Sequence, residues 1–242
     1  MLSRPIPLLI LLTLPIVGQM DRPNFLTKAE KAQGWELLFD GTTTSGWLEV
    51  TGKPFPASSW TIEDGSLKAK PNPAGMQDIR TVETFCSFEL EFEWRCAANG
   101  NSGVKYLLLG VDSWPGKQGS TNARGRAFEY QLGGEDADPK ARSDLKYAAG
   151  SLYGVLAPGR RVAHTAGEFT RARLVVRGGH VEHWMGGQKL LEFELDSPEF
   201  ARDFEASRKR RLPGRDAWES PIVLQNHNTE FWFRNIRIRR LP

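Results

Sequence analysis

Residues 87–95 read Ser87-Phe88-Glu89-Leu90-Glu91-Phe92-Glu93-Trp94-Arg95. Apolar side chains fall at 88, 90, 92 and 94, and carboxylates at 89, 91 and 93. Strict alternation over this length marks a half-buried antiparallel strand, because successive side chains leave a strand on opposite faces. One face is then core and the other polar. Three carboxylates in a row also suit acid–base chemistry, but the alternation assigns them to the wet face. Cys86 and Cys96 flank the stretch on the same parity as the apolar residues. On one strand they stand about 33 Å apart, far beyond the ~7 Å that a disulfide spans. The expectation is two separate buried thiols with no reactive role.

Working outward, the same period recurs. Trp60 to Leu67 carries Asp64-Gly65 at its centre, the sequence of a tight hairpin turn. Arg171–Arg177, His180–Met185 and Leu190–Leu195 read as three strands turning at Gly178-Gly179 and Gly186-Gly187. Trp35 to Gly41 is a strand running into a turn, and further strands are expected over Gly103–Gly110, Ala127–Leu132, Ile222–Gln225 and Phe231–Arg239. Ser113–Gly125 and Gly133–Gly150 are polar and glycine-rich and read as two long loops flanking one strand. Loops of that length in a compact domain mark a functional rim. Thr27 with Glu30 makes a capping box for a short helix inside 21–34, and Ser197-Pro198 starts a second through Phe200 and Phe204. Many strands, many turns and one or two short helices make an all-β fold, a β-sandwich of two antiparallel sheets.

The chain has 242 residues, 40% hydrophobic and 25% charged, which excludes a disordered, collagen-like or multi-span protein. Lysine and arginine number 32 against 29 acidic residues, too balanced a charge for a nucleic-acid binder. The run Arg208-Lys209-Arg210-Arg211 sits at a helix end, where cations complement the dipole. Residues 1–19 combine Arg4 with an apolar core from Leu8 to Val17 broken by Pro15. That core is about half of the ~20 residues a spanning helix needs, so 1–19 reads as a secretory signal peptide. The expectation is a secreted or periplasmic protein with a single domain over 20–242 and no stable membrane span.

Familiar catalytic signatures are missing from the sequence. There is no G-x-S-x-G elbow, no glycine-rich phosphate loop, no H-E-x-x-H and no paired C-x-x-C. Of the four histidines, His164, His180, His183 and His227, only His180 and His183 are close in sequence, and on a strand they point to opposite faces. Pattern alone ends at an exported sandwich with long loops on one rim.

Six segments in order carry the reading further. They are Gly34-Trp35-Glu36-Leu37-Leu38-Phe39-Asp40-Gly41, Asn101-Ser102-Gly103-Val104-Lys105-Tyr106, Glu129-Tyr130-Gln131, Val181-Glu182-His183-Trp184, Leu224-Gln225-Asn226-His227 and Phe233-Arg234-Asn235-Ile236. From about Gly34 to Leu241 the chain resembles the 3-keto-disaccharide hydrolase family. The resemblance implies a concanavalin/glucanase-like jelly roll and action on glycosides oxidised at C3, as hydrolase or as 1,2-lyase with hydratase activity. It also implies an upstream sugar C3-oxidase as metabolic partner. The chain departs from the family at Gln225-Asn226-His227-Asn228, where Gln-Asp-His-Gly is common, so a carboxylate beside the candidate site is missing. It departs again at Gly186-Gly187, where Asn-Gly is common, a matter of turn chemistry.

A keto group at C3 acidifies the C2 proton, so cleavage needs a base near C2, a cation near O3 and a proton donor at the glycosidic oxygen. Glu129 is the candidate base, Lys105 the candidate enolate stabiliser, and His183 and His227 the candidate acid–base histidines. Gln131, Asp78, Asn101, Tyr106, Trp184, Gln225 and Asn226 are candidates for binding the sugar. Trp232 is a second stacking candidate, while Arg234 and Asn235 tie the last strand. A divalent metal bound by oxygen ligands is the alternative enolate stabiliser, and the sequence names no ligand set for it. A secreted, non-catalytic carbohydrate-binding module is the competing function. It needs aromatics and amides but no tunable base, so convergence of the candidates in one pocket discriminates. An ordinary endo-glucanase is disfavoured because no strand carries E-x-D-x-x-E.

Overall fold

The strand read first, β6 (Phe88–Cys96), lies inside the larger of two antiparallel sheets. The computed structural model describes residues 23–133, 138–208, 210–215 and 218–242; the signal peptide expected over 1–19 lies outside them. The other strands are β1 (Glu36–Leu37), β2 (Trp47–Glu49), β3 (Trp60–Glu63), β4 (Ser66–Ala69), β5 (Ile79–Thr81), β7 (Asn101–Pro115), β8 (Thr121–Gly133), β9 (Thr170–Arg177), β10 (His180–Met185), β11 (Gln188–Glu194), β12 (Val223–Leu224) and β13 (Phe231–Arg240). The larger sheet runs β11-β10-β9-β6-β13-β4-β3 with β1 added beside β13, and the smaller runs β2-β5-β12-β7-β8. Helices α1 (Lys28–Ala32) and α2 (Pro198–Arg208) complete a β-sandwich of the expected class. Among the described residues no helix is long and apolar enough to cross a membrane.

The alternation in β6 sets the layers. Phe88, Leu90, Phe92 and Trp94 are each at most 2% exposed and fill the space between the sheets. Phe92 meets Tyr130 of the small sheet edge-on at 6.1 Å. On the opposite face the carboxylates are not simply wet. Glu89 pairs with Arg173 at 2.9 Å and with Arg239 at 2.5 Å, Glu91 with Arg171 at 2.8 Å and Arg237 at 2.6 Å, and Glu93 with Arg234 at 2.7 Å. This ladder ties β6 to β9 and β13, so the carboxylates serve the sheet and not a reaction.

Local signals act as read. The Asp64-Gly65 turn joins β3 to β4 with φ of 48° and 69°, the left-handed geometry of a two-residue hairpin. Thr27 and Glu30 close the capping box of α1, and Ser197 Oγ accepts Phe200 N at 3.1 Å at the start of α2. Phe200 and Phe204 of α2 then pack on Phe128 at 5.8 and 5.1 Å.

Two further expectations fail. Cys86 is exposed, because β6 begins only at Phe88; Cys96 alone is buried, where burial pushes its thiol up to about 11. Both thiols are free. Ser113–Gly125 is not a loop: β7 and β8 continue as one hairpin out to Pro115↔Thr121, closed by a 3-10 turn over Lys117–Gly119. Residues 112–115 are solvent-exposed in succession, so no hydrophobic alternation marks them as strand. Between Tyr106 and Gly110 the pairing shifts register, with Leu107 at φ 48°. Such a bulge re-aims the side chains around it.

Candidate active site

Strand register puts the candidates on one surface. Lys105 lies opposite Glu129, and Gly103 opposite Gln131, across β7 and β8. On the other flank β12 sets Val223 against Lys105, and Gln225 N donates to Gly103 O at 3.0 Å. Because strand side chains alternate, Val104, Tyr106, Phe128 and Tyr130 fill the core while Lys105, Glu129, Gln131 and Gln225 share the face turned away from it.

Lys105 is 1% exposed, so it is no solvated strand lysine. Its Nζ donates to Asp78 Oδ2 at 2.8 Å and to Gly125 O at 3.1 Å. Asp78 is itself fixed: Oδ2 accepts Gly125 N, and Oδ1 accepts Asn226 N, each at 3.1 Å. An ammonium has three donors. The third can face Glu129, whose Oε2 stands 3.8 Å from Nζ. Glu129 is half-buried, and Gln225 Nε2 donates to its Oε2 at 3.2 Å. A β-carbon at Gly103 would stand 2.7 Å from Glu129 Cγ, so the carboxylate lies where only glycine leaves room.

Around this pair is a pocket of about 200 Å³. Gln131 Nε2 donates to Asn101 Oδ1 at 2.9 Å and Leu132 O at 3.1 Å, which aims its carbonyl. The buried oxygens Gln131 Oε1 and Gln225 Oε1 have no hydrogen-bond partner. Buried acceptors are costly unless a donor meets them, and sugar hydroxyls are such donors. His227 lines the rim. Desolvation, then the positive charge of Arg124, holds its imidazole below the ordinary value. Tyr153 also lines the pocket; its hydroxyl donates to Asp138 Oδ2 at 2.7 Å, and burial with that contact pushes the phenol up.

Other candidates lie elsewhere. His183 is fully buried between the sheets, sharing parity with Val181 and Met185. Its Nδ1 meets Gly150 O at 3.0 Å, Tyr106 Oη meets its Nε2 at 2.9 Å, and its ring stacks on Tyr130 at 4.2 Å. Burial depresses it to about 4, so it is a neutral core histidine and not an acid–base group of the pocket. Tyr106 is spent on the same contact and faces the core. Trp184 lies on the outer face of the large sheet with Arg173 4.1 Å over its ring. Trp232 donates to Glu63 Oε1 at 2.8 Å, also outside the pocket. Asp78 does not line the pocket; it lies beneath Lys105 and holds the ammonium. Asn226 does not line the pocket: its backbone holds Asp78, while its side chain donates to Ser59 O at 2.9 Å and accepts Asn228 N at 2.9 Å. Asn228 has φ 65°, a left-handed position that asparagine tolerates in place of glycine.

Sequence reasoning missed Tyr153 and four arginines. Arg124 and Arg126 come from β8, Arg208 is the last residue of α2, and Arg210 follows beyond it. The basic run at 208–211 was the only trace of the last two. For a divalent ion the pocket offers the oxygens of Glu129, Gln131 and Gln225 and a nitrogen of His227, while the space between Asp78 and Glu129 belongs to the Lys105 ammonium. His180, Glu182 and Glu192 bring potential ligand atoms within 4.8 Å of one another, but on the large sheet, where Lys189 contacts both glutamates.

The sequence profile described as a 3-keto-alpha-glucoside-1,2-lyase-like domain matches residues 34–239. The chain belongs to the 3-keto-alpha-glucoside-1,2-lyase-like family. Within it, the chain is 32% identical over 232 residues to a 3-keto-disaccharide hydrolase of Bacteroides thetaiotaomicron, covering 87% of this chain and 79% of that protein. Two putative glycosyl hydrolases of Parabacteroides distasonis share the fold of this 3-keto-alpha-glucoside-1,2-lyase-like chain. One has a TM-score of 0.76 at 24% identity, over 91% of this chain and 100% of its own. The other has a TM-score of 0.61 at 22% identity, over 86% and 99%.

Proposed function

We propose that this protein cleaves 3-keto-glycosides by removing the C2 proton, eliminating the C1 substituent and rehydrating the product. The observation that carries the reading is the buried Lys105 ammonium, pinned by Asp78 and set 3.8 Å from the Glu129 carboxylate in a pocket with unpartnered amide oxygens. Membership in a family containing a 3-keto-disaccharide hydrolase supports the substrate class.

Glu129 takes the proton from C2. The C2–H electrons form C2=C3, and the charge passes to O3, where Lys105 donates a hydrogen bond from its free N–H. As the enolate collapses, C1=C2 forms and the C1–O bond breaks; protonated Glu129 returns its proton to the leaving oxygen. Water then adds at C1 by the reverse route, giving one proton to C2, with neutral His227 orienting it from the rim. The net change is hydrolysis. The Gln131, Asn101 and Gln225 amides hold the ring hydroxyls meanwhile. In this reading residues 1–19 direct export, and an oxidase of the sugar C3 hydroxyl supplies the substrate.

The test is incubation with 3-ketotrehalose or 3-ketosucrose in deuterated water. Early product with deuterium at C2, above the exchange of the free ketosugar, supports elimination. Product without it points to direct hydrolysis. Binding without cleavage of either ketosugar turns the reading toward a carbohydrate-binding module.

A further inference from the structure

Five cationic residues border the pocket, Lys105 with Arg124, Arg126, Arg208 and Arg210, against a single carboxylate residue, Glu129. Lys105 is neutralised by Asp78 and Arg126 meets exposed Asp112 at 3.1 Å. Among the described residues Arg124, Arg208 and Arg210 have no carboxylate within ion-pair distance. Arg210 Nε is buried without a hydrogen-bond partner. Burial and the like charges of Arg126 and Arg208 disfavour its charged form. Arg208 donates to Tyr153 O and Arg124 lies 5.9 Å over the Trp114 ring, but neither contact offsets the charge gathered in a cleft, where the field is focused. A planar guanidinium fork is matched to carboxylate, sulfate or phosphate.

The charge is placed at one end. Along β8, Gln131 lies beyond Glu129 toward the C-terminus; Arg126 and Arg124 lie on its N-terminal side at the opposite parity, past the register shift between Tyr106 and Gly110, and both border the pocket. At ~3.4 Å per residue the backbone of Gln131 and that of Arg126 are about 17 Å apart along the strand. Arg210, which feels Arg126 and Asp112, belongs to the second end. With the ketosugar over Gln131 and Asn101 and its C1–C2 edge over Glu129, the group departing from C1 extends toward the arginines.

We propose that the glycosides this pocket takes carry an oxyanion on the leaving group, bound by Arg124, Arg126, Arg208 and Arg210. The proposal rests on the function proposed above and names its substrate class. The test compares kcat/KM for the 3-keto-glucoside of 4-hydroxybenzoate with that of 4-hydroxybenzamide. The amide withdraws electrons more strongly, so intrinsic leaving ability favours the neutral compound. A second pair, phenyl 3-keto-glucuronide and phenyl 3-keto-glucoside, puts the carboxylate on the ketosugar instead. The expected result is at least about a tenfold preference for the benzoate, the effect of one charge-assisted hydrogen bond. In R208Q/R210Q that ratio falls toward one. A preference confined to the glucuronide overturns the placement on the leaving group. No preference in either pair overturns the proposal while the function stands. Failure to cleave any of the four overturns the function and this proposal together.

Discussion

Lys105 Nζ lies 2.8 Å from Asp78 Oδ2, and both side chains are at most 2% exposed. The pair comes from two strands, β7 and the lead into β5, with β12 between them. A buried pair of this kind is expensive to assemble, because both charges leave water. Here the remaining valences are met by Gly125 and Asn226 backbone groups, so the arrangement holds one ammonium donor fixed beneath the pocket.

Breaking the pair from one side strands a buried charge. Asp78→Asn is expected to lose about 3–5 kcal/mol of stability in urea unfolding, as removal of one partner of a buried pair does. The double variant Asp78→Asn/Lys105→Met recovers much of the stability and none of the activity. Recovery of both would remove Lys105 from the chemistry.

Glu129→Gln keeps the size of the side chain and removes its basicity. Turnover of 3-ketosucrose is expected to fall by about 10²–10⁴, the contribution of a positioned base. The melting temperature should stay near that of the unaltered protein, since Glu129 is half-buried and borders a cavity. A rate near that of the unaltered protein would exclude it as the base.

Period-two patterning gave β6, the β3–β4 hairpin and the β9–β10–β11 meander correctly, because each has one face in the core. It also put Lys105 and Glu129 on strands whose neighbours Val104, Tyr106, Phe128 and Tyr130 are apolar, which left the polar parity on one surface. Period alone does not say which parity is core when both look mixed. In Val181-Glu182-His183-Trp184 the core takes Val181 and His183, the reverse of what the larger apolar surface of Trp184 suggests. The arginines were hidden for another reason: Arg208 and Arg126 come to one pocket through the tertiary packing of α2 on Phe128, with about eighty residues of chain between them.

Gly103→Ala tests how finely Glu129 is placed. The added carbon would stand 2.7 Å from Glu129 Cγ, and strand φ at this position is ordinary, so the effect is steric. Displacing the carboxylate by about 1 Å is expected to cost on the order of 10² in kcat. A crystal structure of the variant should show Glu129 turned from Gln225. Unchanged kcat with Glu129 displaced would mean the base is another group.

His183 makes stability depend on pH. Its folded value is about 4, below the ordinary 6.5, because the core admits only the neutral ring. Between those values the unfolded chain takes up a proton that the folded one refuses, so stability falls as pH drops through this window. Above the ordinary value neither state is protonated and the effect vanishes. The loss between pH 7.5 and pH 5 should be roughly 2 kcal/mol from this group alone. Urea unfolding at the two pH values measures it, and His183→Gln, which has nothing to protonate, should lack that component. An identical pH slope in the variant would place the titration on another group, with half-buried His180, raised by Glu194, acting in the opposite sense.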